Sequence, residues 1–194
     1  MDWKRIDPLV AKARPPRPLA EALAYENEMV PAKFRQMYDV SRQDADEIFT
    51  ETKRFLWLVA RAYGVQTRPP IFLHNPIAVI DEMWHTFILF TPEYHEYCET
   101  FLGCYVHHTP TTEAEITAWA TLASRDPDAY RNMCDKRFRE MLAFISQELG
   151  PGTIDRWYSA FPQKYSLRFL DSRRKSLEQV SSSIKRRITE AQRT

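Results

Sequence analysis

Three prolines each stand directly after a residue type that caps helices, and this arrangement predicts where helices begin. The pairs are Asn75-Pro76, Thr91-Pro92 and Asp126-Pro127. Proline is tolerated in the first turn of a helix but breaks a helix interior, because it lacks an N–H. The chain has 13 prolines and only 4 glycines. So few glycines argue against glycine-rich phosphate loops and against many tight β-turns.

Apolar residues recur at helical spacing through much of the chain. The strongest example runs from Ser41, a good N-cap with Asp44 at the capping-box position, to Tyr63. Gly64 then stands where a left-handed residue commonly ends a helix. The chain has no internal repeat and no alternating strand pattern of useful length. We therefore predict an all-α fold, an irregular bundle of six to eight helices with Ile77–Phe90 as its buried centre.

The remaining helices are predicted from capping residues and stop signals. They are Leu19–Met29, ended by the Val30-Pro31 step; Glu93–Leu102, closed by Gly103; Thr112 to about Ala123, with Glu115 completing a capping box; Asp128–Leu149, ended by Gly150; Ile154–Ala160; and Leu167–Gln192. Residues 65–73 are predicted as an extended connection. We therefore predict that the chain has three parts: an irregular segment with a short helix over 1–40, a helical core over 41–165 and a basic amphipathic helix over 166–194.

Length and charge exclude several classes of protein. The 194 residues suit one domain, and 44% apolar residues are enough for a core. A net charge of +1 gives no global field that would favour nucleic acid. No apolar run reaches the length of about 18 residues that a membrane helix needs, and the start lacks a signal-peptide pattern. Three cysteines without a CxxC pair favour a reducing, cytoplasmic location.

The predicted central helix carries polar residues where burial is expected. Apolar residues occupy all of its faces, and Asp81, Glu82 and His85 interrupt them. Asp81 and His85 are four residues apart, so they are neighbours on one helix face. Three interpretations fit this pair: a structural hydrogen bond, two ligands of a metal site, or an acid–base pair in which the carboxylate orients the imidazole.

The metal interpretation requires a third ligand from elsewhere in the chain. An aspartate and a histidine four residues apart aim at one point and suit Zn²⁺ or Fe²⁺. His107 and His108 in the following loop, and His95 and Cys98 on the next helix, are the candidates for the third ligand. The fifth histidine, His74, precedes the central helix.

The residues around this helix resemble a known family, the glycine-rich domain-containing protein-like family, over about residues 45–110. The resemblance rests on Asp81-x-x-Trp84-His85, followed by Leu89, Pro92 and Tyr94, and then by Gly103 and His108. The chain departs from the family at Phe87, where many eukaryotic members have a second histidine. It also lacks the glycine-rich tail, and so resembles the compact bacterial form.

The resemblance implies a helical domain and a polar site, without implying an activity. Its matched polar positions are Asp81, His85 and His108, which makes His108 the specific third member of the proposed metal site. Trp84 and Tyr94 match as core positions, and Gly103 matches as the residue that ends a helix.

Two further features have a structural and a functional interpretation. Cys98 lies three residues after His95, which permits a nucleophile pair, although a buried cysteine acting as a small hydrophobe is favoured.

In the last segment, Leu170, Leu177, Ile184 and Ala191 are seven residues apart and form a narrow apolar stripe beside many basic residues. This stripe predicts association with a protein partner or with a second copy. Nucleic acid is disfavoured, because no aromatic residues alternate with the charges.

Two functional hypotheses follow from the sequence. The first is an interaction or accessory protein of undefined activity whose polar cluster is structural. The second is a metal-dependent protein, a hydrolase or an oxygenase, that uses Asp81, His85 and His108 with Zn or Fe. The sequence does not decide whether the protein is an enzyme.

Overall fold

The computed structural model describes residues 13–65 and 69–192, and these residues form an all-α fold without β-strands. The helical segments outnumber the six to eight predicted, because several short helices have their own starts and ends. In chain order they are α1 Leu19–Ala24, α2 Met29–Met37, α3 Arg42–Tyr63, α4 Ala78–Ile88, α5 Thr91–Tyr97, α6 Glu113–Arg125, α7 Pro127–Leu149, α8 Pro151–Asp155, α9 Phe161–Lys164, α10 Leu167–Arg173 and α11 Leu177–Ala191. A 3-10 turn, Asn75–Ile77, precedes α4, and π-helical turns extend α5 over Cys98–Leu102 and α8 over Arg156–Ala160.

Two helices share the centre of the fold, α3 and α4. In α3 every residue from Phe55 to Ala60 is buried, so this stretch is enclosed on all sides. In α4 the residues Val79, Ile80, Met83, Trp84, Thr86 and Phe87 are buried. The predicted centre at Ile77–Phe90 is therefore partly right, since α4 ends at Ile88 and Leu89 is 67% exposed.

The N-terminal part is more helical than the sequence suggested. The Val30-Pro31 step was expected to end a helix, yet it lies in the first turn of α2, where a missing proline N–H costs nothing. Asn27 provides the start signal, because its Oδ1 accepts from the backbone N–H groups of Met29 (2.9 Å) and Val30 (3.1 Å). The prediction of one helix over Leu19–Met29 was wrong for this reason. Residues 1–12 lie outside the described part.

Most predicted helix starts are confirmed. Ser41 caps α3 by accepting from the Asp44 N–H at 3.0 Å, and Thr112 with Glu115 forms the predicted capping box of α6. Asp126 caps α7 ahead of Pro127. Three details differ. Gly64 has a φ of −81° and is not left-handed, and Asn75-Pro76 begins the 3-10 turn, so that α4 starts later. Thr91 is the first residue of α5 and does not cap it. The predicted connection over 65–73 falls partly on residues 66–68, which are not described.

The last segment is two helices, where one helix over Leu167–Gln192 was predicted. Between α10 and α11 the chain runs extended beside the end of α2, with Asp39 N bonded to Arg173 O (2.8 Å) and Lys175 N to Met37 O (2.7 Å). Ser176 and Gln179 then form a new capping box for α11. The break separates Leu170, which is buried, from Ile184 and Ile188, which are 43% and 54% exposed. None of the described helices combines the length and apolar character needed to cross a bilayer.

Gly103 ends the π-helical turn after α5 in the left-handed conformation that the sequence predicted, with a φ of +73°. A Cβ at this position would lie 2.5 Å from the Arg14 carbonyl oxygen, and the Arg14 N–H donates to Gly103 O. We expect Gly103→Ala to lower the free energy of unfolding by about 1–3 kcal/mol, measured by urea denaturation. Gly152→Ala is the matched control, because a Cβ there meets nothing within 4 Å. Equal effects of the two substitutions would contradict this account.

Candidate metal centre

The partly exposed face of α4 carries two of the three predicted site residues. Asp81 and His85 stand one helical turn apart, and their side chains are 33% and 50% exposed. The neighbouring residue Trp84 is buried and anchors α4 in the core. The helix therefore presents a carboxylate and an imidazole at the edge of a rigid surface, as their spacing predicted.

A chain of buried hydrogen bonds positions the segment that carries His108. Trp84 Nε1 donates to Tyr94 Oη at 2.9 Å, and the Tyr94 hydroxyl donates to the Val106 carbonyl. This fixes Val106 against α4 and α5, and His108 follows two residues later. The His108 ring packs on the Trp84 ring with a centroid distance of 4.4 Å. Trp84 and Tyr94 are thus core residues, as predicted, and they also hold the third site residue in place.

The three predicted residues come together in space. His108 Nε2 lies 3.0 Å from Asp81 Oδ1, and His85 Nδ1 lies 3.9 Å from Asp81 Oδ2. One ligand atom from each residue lies within 4.8 Å of the other two. The expected structural hydrogen bond between Asp81 and His85 is not formed, because 3.9 Å exceeds hydrogen-bonding distance. The hydrogen-bonded partner of Asp81 is His108.

This donor set suits a divalent transition metal. Zn–N and Zn–O bonds of about 2.0–2.2 Å place neighbouring ligand atoms roughly 3–3.5 Å apart, close to the Asp81–His108 separation. His85 would have to move by about 1 Å, which rotation of a half-exposed side chain can supply. Two histidines and one carboxylate form the donor set of non-haem iron oxygenases, and three protein ligands are also typical of catalytic zinc.

The alternative third ligands lie outside this cluster. His107 contacts the Tyr105 ring at 4.8 Å, and desolvation by burial lowers the pKa of its imidazole. His95 is exposed, with its ring centroid 6.0 Å from that of Tyr105. Cys98 is fully buried, and desolvation raises the pKa of its thiol to about 12. Cys98 is buried whereas His95 is exposed, which disfavours a nucleophile pair and agrees with Cys98 packing as a small hydrophobe.

Glu82, the third polar residue of α4, faces a different neighbourhood. Its Oε2 accepts from the Tyr38 hydroxyl at 2.6 Å and lies 3.8 Å from Arg174 Nη2. Burial and the carboxylate of Glu82 raise the pKa of Tyr38. Glu82 thus ties α4 to α2 and to the start of the α10–α11 connection.

His74 is surrounded by aromatic rings and is separate from the cluster. Its ring centroid lies 5.4–5.5 Å from those of Phe72, Phe138 and Tyr158. Burial lowers the pKa of the imidazole. We interpret His74 as a packing residue that joins the start of α4 to α7.

Comparison with known proteins identifies one family. A family model described as UCP032817-like matches residues 19–118, which is just over half of the 194-residue chain. The matched range contains Asp81, His85 and His108, and ends within α6. Comparisons with curated proteins and with solved structures find no match.

Proposed function

The chain belongs to the UCP032817-like family, and we propose that the matched domain binds one divalent metal ion, Zn²⁺ or Fe²⁺, through Asp81, His85 and His108. The observation that carries this proposal is the convergence of three ligand atoms within 4.8 Å of one another. Among residues 13–65 and 69–192, no other group of three histidine, cysteine or acidic side chains brings its ligand atoms this close together.

The surroundings of the cluster favour ligation over a purely structural role. Asp81 and His108 are already held in contact by the Trp84–Tyr94–Val106 hydrogen bonds, so little conformational entropy would be lost when a metal binds. His85 has its ring exposed beside His108, and no structural hydrogen bond to Asp81 explains its position. A structural pair would need only Asp81 and His108.

Three protein ligands would leave coordination positions open, and the half-exposed His85 side chain would let solvent reach the ion. Bound zinc lowers the pKa of a water ligand to about 7 and so supplies a hydroxide for hydrolysis. Ferrous iron with two histidines and one carboxylate supports oxygenase chemistry. The proposed function is therefore that of a metal-dependent protein of one of these two reaction classes, in which Asp81 supplies the negative charge and the two imidazoles are neutral ligands.

Metal analysis of the full chain tests this proposal. Protein purified without a histidine tag should contain about one Zn or Fe per chain, either as isolated or after incubation with the metal and removal of excess. The absorption spectrum after replacement by Co²⁺ would report nitrogen and oxygen ligands. An occupancy below about one tenth after added metal would contradict the proposal.

A second function, association through α11, is favoured by a specific observation. We infer that α11 contacts a second copy of the chain, because Ile184 and Ile188 form an exposed apolar stripe on its outer face. Substituting both residues with glutamate should lower the oligomeric state measured by light scattering. Unchanged mass, or a monomeric unsubstituted chain across the accessible concentration range, would contradict self-association.

A further inference from the structure

A cavity of about 550 Å³ lies between α10, α11 and the end of α2, outside the metal cluster. Four cationic side chains line it: Arg173, Arg174, Lys175 and Arg186. Asp39 is the one acidic side chain among the lining residues. These cations lie beyond residue 118, so the cavity belongs mainly to the part of the chain that follows the family match.

The cations around the cavity are only loosely paired. Arg173 lies 3.5 Å from Asp39, Arg174 3.8 Å from Glu82 and Arg186 3.9 Å from Glu190. Charge-assisted hydrogen bonds between guanidinium and carboxylate are about 2.7–2.9 Å long. The three guanidinium groups therefore keep N–H donors available. Lys175 donates one hydrogen bond, from Nζ to the Arg35 carbonyl at 2.8 Å, and its ammonium group has two further protons to donate.

The face of α11 towards the cavity adds neutral hydrogen-bonding groups. Gln179, Ser182, Ser183 and Arg186 lie on one face of the helix at about 100° per residue, and all four line the cavity. Gln179 uses its Oε1 to accept from the Ser176 N–H, which leaves its amide donors unused. Ile184 and Ile188 lie on the opposite face and are exposed. The side of α11 that lines the cavity is therefore polar, and its four residues are exposed to solvent.

We propose that this cavity binds the phosphate monoester group of a small molecule. A guanidinium group presents parallel N–H donors that match phosphate oxygens, and a dianion offsets the local excess of positive charge. The volume lies within the range of about 300–1,000 Å³ that is typical of small-molecule sites. Serine hydroxyls and the Gln179 amide supply donors to the remaining oxygens or to hydroxyl groups of the attached molecule.

The orientation of α11 favours a soluble phosphate ester over a lipid headgroup. The apolar stripe and the cavity lie on opposite sides of the same helix. A bilayer that received Ile184 and Ile188 would therefore be separated from the cations by the width of the helix, about 10 Å. A soluble ester and a lipid headgroup such as that of phosphatidic acid would both present a phosphate monoester. Binding to lipid vesicles distinguishes the two.

Calorimetry on the full chain tests the proposal with inorganic phosphate, glycerol 3-phosphate, glucose 6-phosphate and AMP as probes. Glycerol, glucose and adenosine serve as the uncharged controls. At least one ester should bind saturably, and Arg186→Gln should weaken its binding about tenfold, because one guanidinium contact is lost. Arg187→Gln is the matched control, since Arg187 is a cation on the same helix that does not line the cavity. It should leave the affinity unchanged.

Three results would overturn the assignment. The first is no saturable binding of any probe up to about 1 mM. The second is an equal loss of affinity in Arg186→Gln and Arg187→Gln, which would indicate a diffuse electrostatic effect. The third is binding to phosphatidylcholine vesicles that contain phosphatidic acid, without binding of the soluble esters, which would assign the surface to a membrane.

Discussion

His108→Phe and Asp81→Asn are each expected to lower the affinity for Zn²⁺ or Fe²⁺ by at least about 100-fold. Each substitution removes one of three ligands and keeps the shape of the side chain. Phenylalanine can still pack on the Trp84 ring, whose centroid lies 4.4 Å from that of the His108 ring in the unsubstituted chain. Asparagine can still hydrogen-bond His108, so the loss would report the carboxylate charge rather than collapse of the site. Competition with a chelating dye measures the affinity.

His95→Ala is the matched control for these variants. His95 is exposed on the neighbouring helix and lies outside the cluster, although the sequence admitted it as a ligand. Its replacement should leave the affinity unchanged. If His95→Ala lowers the affinity as much as His108→Phe does, the metal binds by a different ligand set. If both cluster variants bind as the unsubstituted chain does, Asp81 and His108 are a structural pair.

Thermal unfolding provides an independent readout of the same variants. A ligand that binds only the folded chain stabilises it by about 2.7 kcal/mol when its free concentration is 100 times the Kd. Added metal should therefore raise the Tm of the unsubstituted chain and of His95→Ala, by roughly 5–10 °C. It should leave the Tm of His108→Phe and Asp81→Asn almost unchanged. A similar rise in all four proteins would indicate binding elsewhere.

The site could be predicted from the sequence only in part. The spacing of Asp81 and His85 placed both on one helix face, because helical geometry is local. His108 is 27 residues from Asp81, and its selection over His107, His95 and Cys98 came from the family resemblance. The actual contact, Asp81 with His108 instead of His85, depends on how the Trp84–Tyr94–Val106 hydrogen bonds place a loop. Such long-range placement leaves no periodic signal in the sequence.

The helices show the same division between local and long-range information. Starts marked by a capping side chain, such as Ser41 and Thr112, were predicted correctly because the cap and its target are three residues apart. The break between α10 and α11 was missed, although Ser176 and Gln179 carry a capping box, because the seven-residue apolar spacing suggested one continuous helix. Backbone hydrogen bonds between this stretch and the end of α2 stabilise the break.

Buried charges are the feature that the sequence hid most completely. The apolar pattern of α3 identified its core face, yet Glu51 and Lys53 on the same helix are only 1% and 5% exposed. Acidic residues and lysines are almost never fully buried unless they are paired, so sequence patterns assign them to the surface. Lys53 donates to the carbonyls of Leu23 and Tyr25 and so satisfies the end of α1. Glu51 has one partner nearby, Arg54, and two from much farther along the chain, Arg156 and Trp157.

Glu51→Ala is expected to lower the free energy of unfolding by about 3–5 kcal/mol. The Glu51 carboxylate accepts from Trp157 Nε1 at 2.8 Å and from Arg54 Nε at 3.1 Å, and lies 3.4 Å from Arg156 Nη1. Trp157 is fully buried, so truncation of Glu51 would leave its N–H without an acceptor inside the core. The contact also joins α3 to the π-helical turn after α8. Urea denaturation measures the loss.

Two further substitutions serve as controls. One removes the charge of Glu51 but keeps a hydrogen-bond acceptor, and the other removes a carboxylate from the exposed side of the same helix. Glu51→Gln retains an oxygen that can accept from Trp157, so it should cost less than Glu51→Ala, about 1–3 kcal/mol. Asp46→Ala, on the exposed side of α3, removes only a 3.7 Å pair with Arg42 and should cost no more than about 1 kcal/mol. Equal effects of Glu51→Ala and Asp46→Ala would show that the carboxylate contributes nothing to the packing of Trp157. Because Glu51 lies in α3 and Trp157 in the turn after α8, a large effect would show that this long-range contact contributes to the stability of the whole fold.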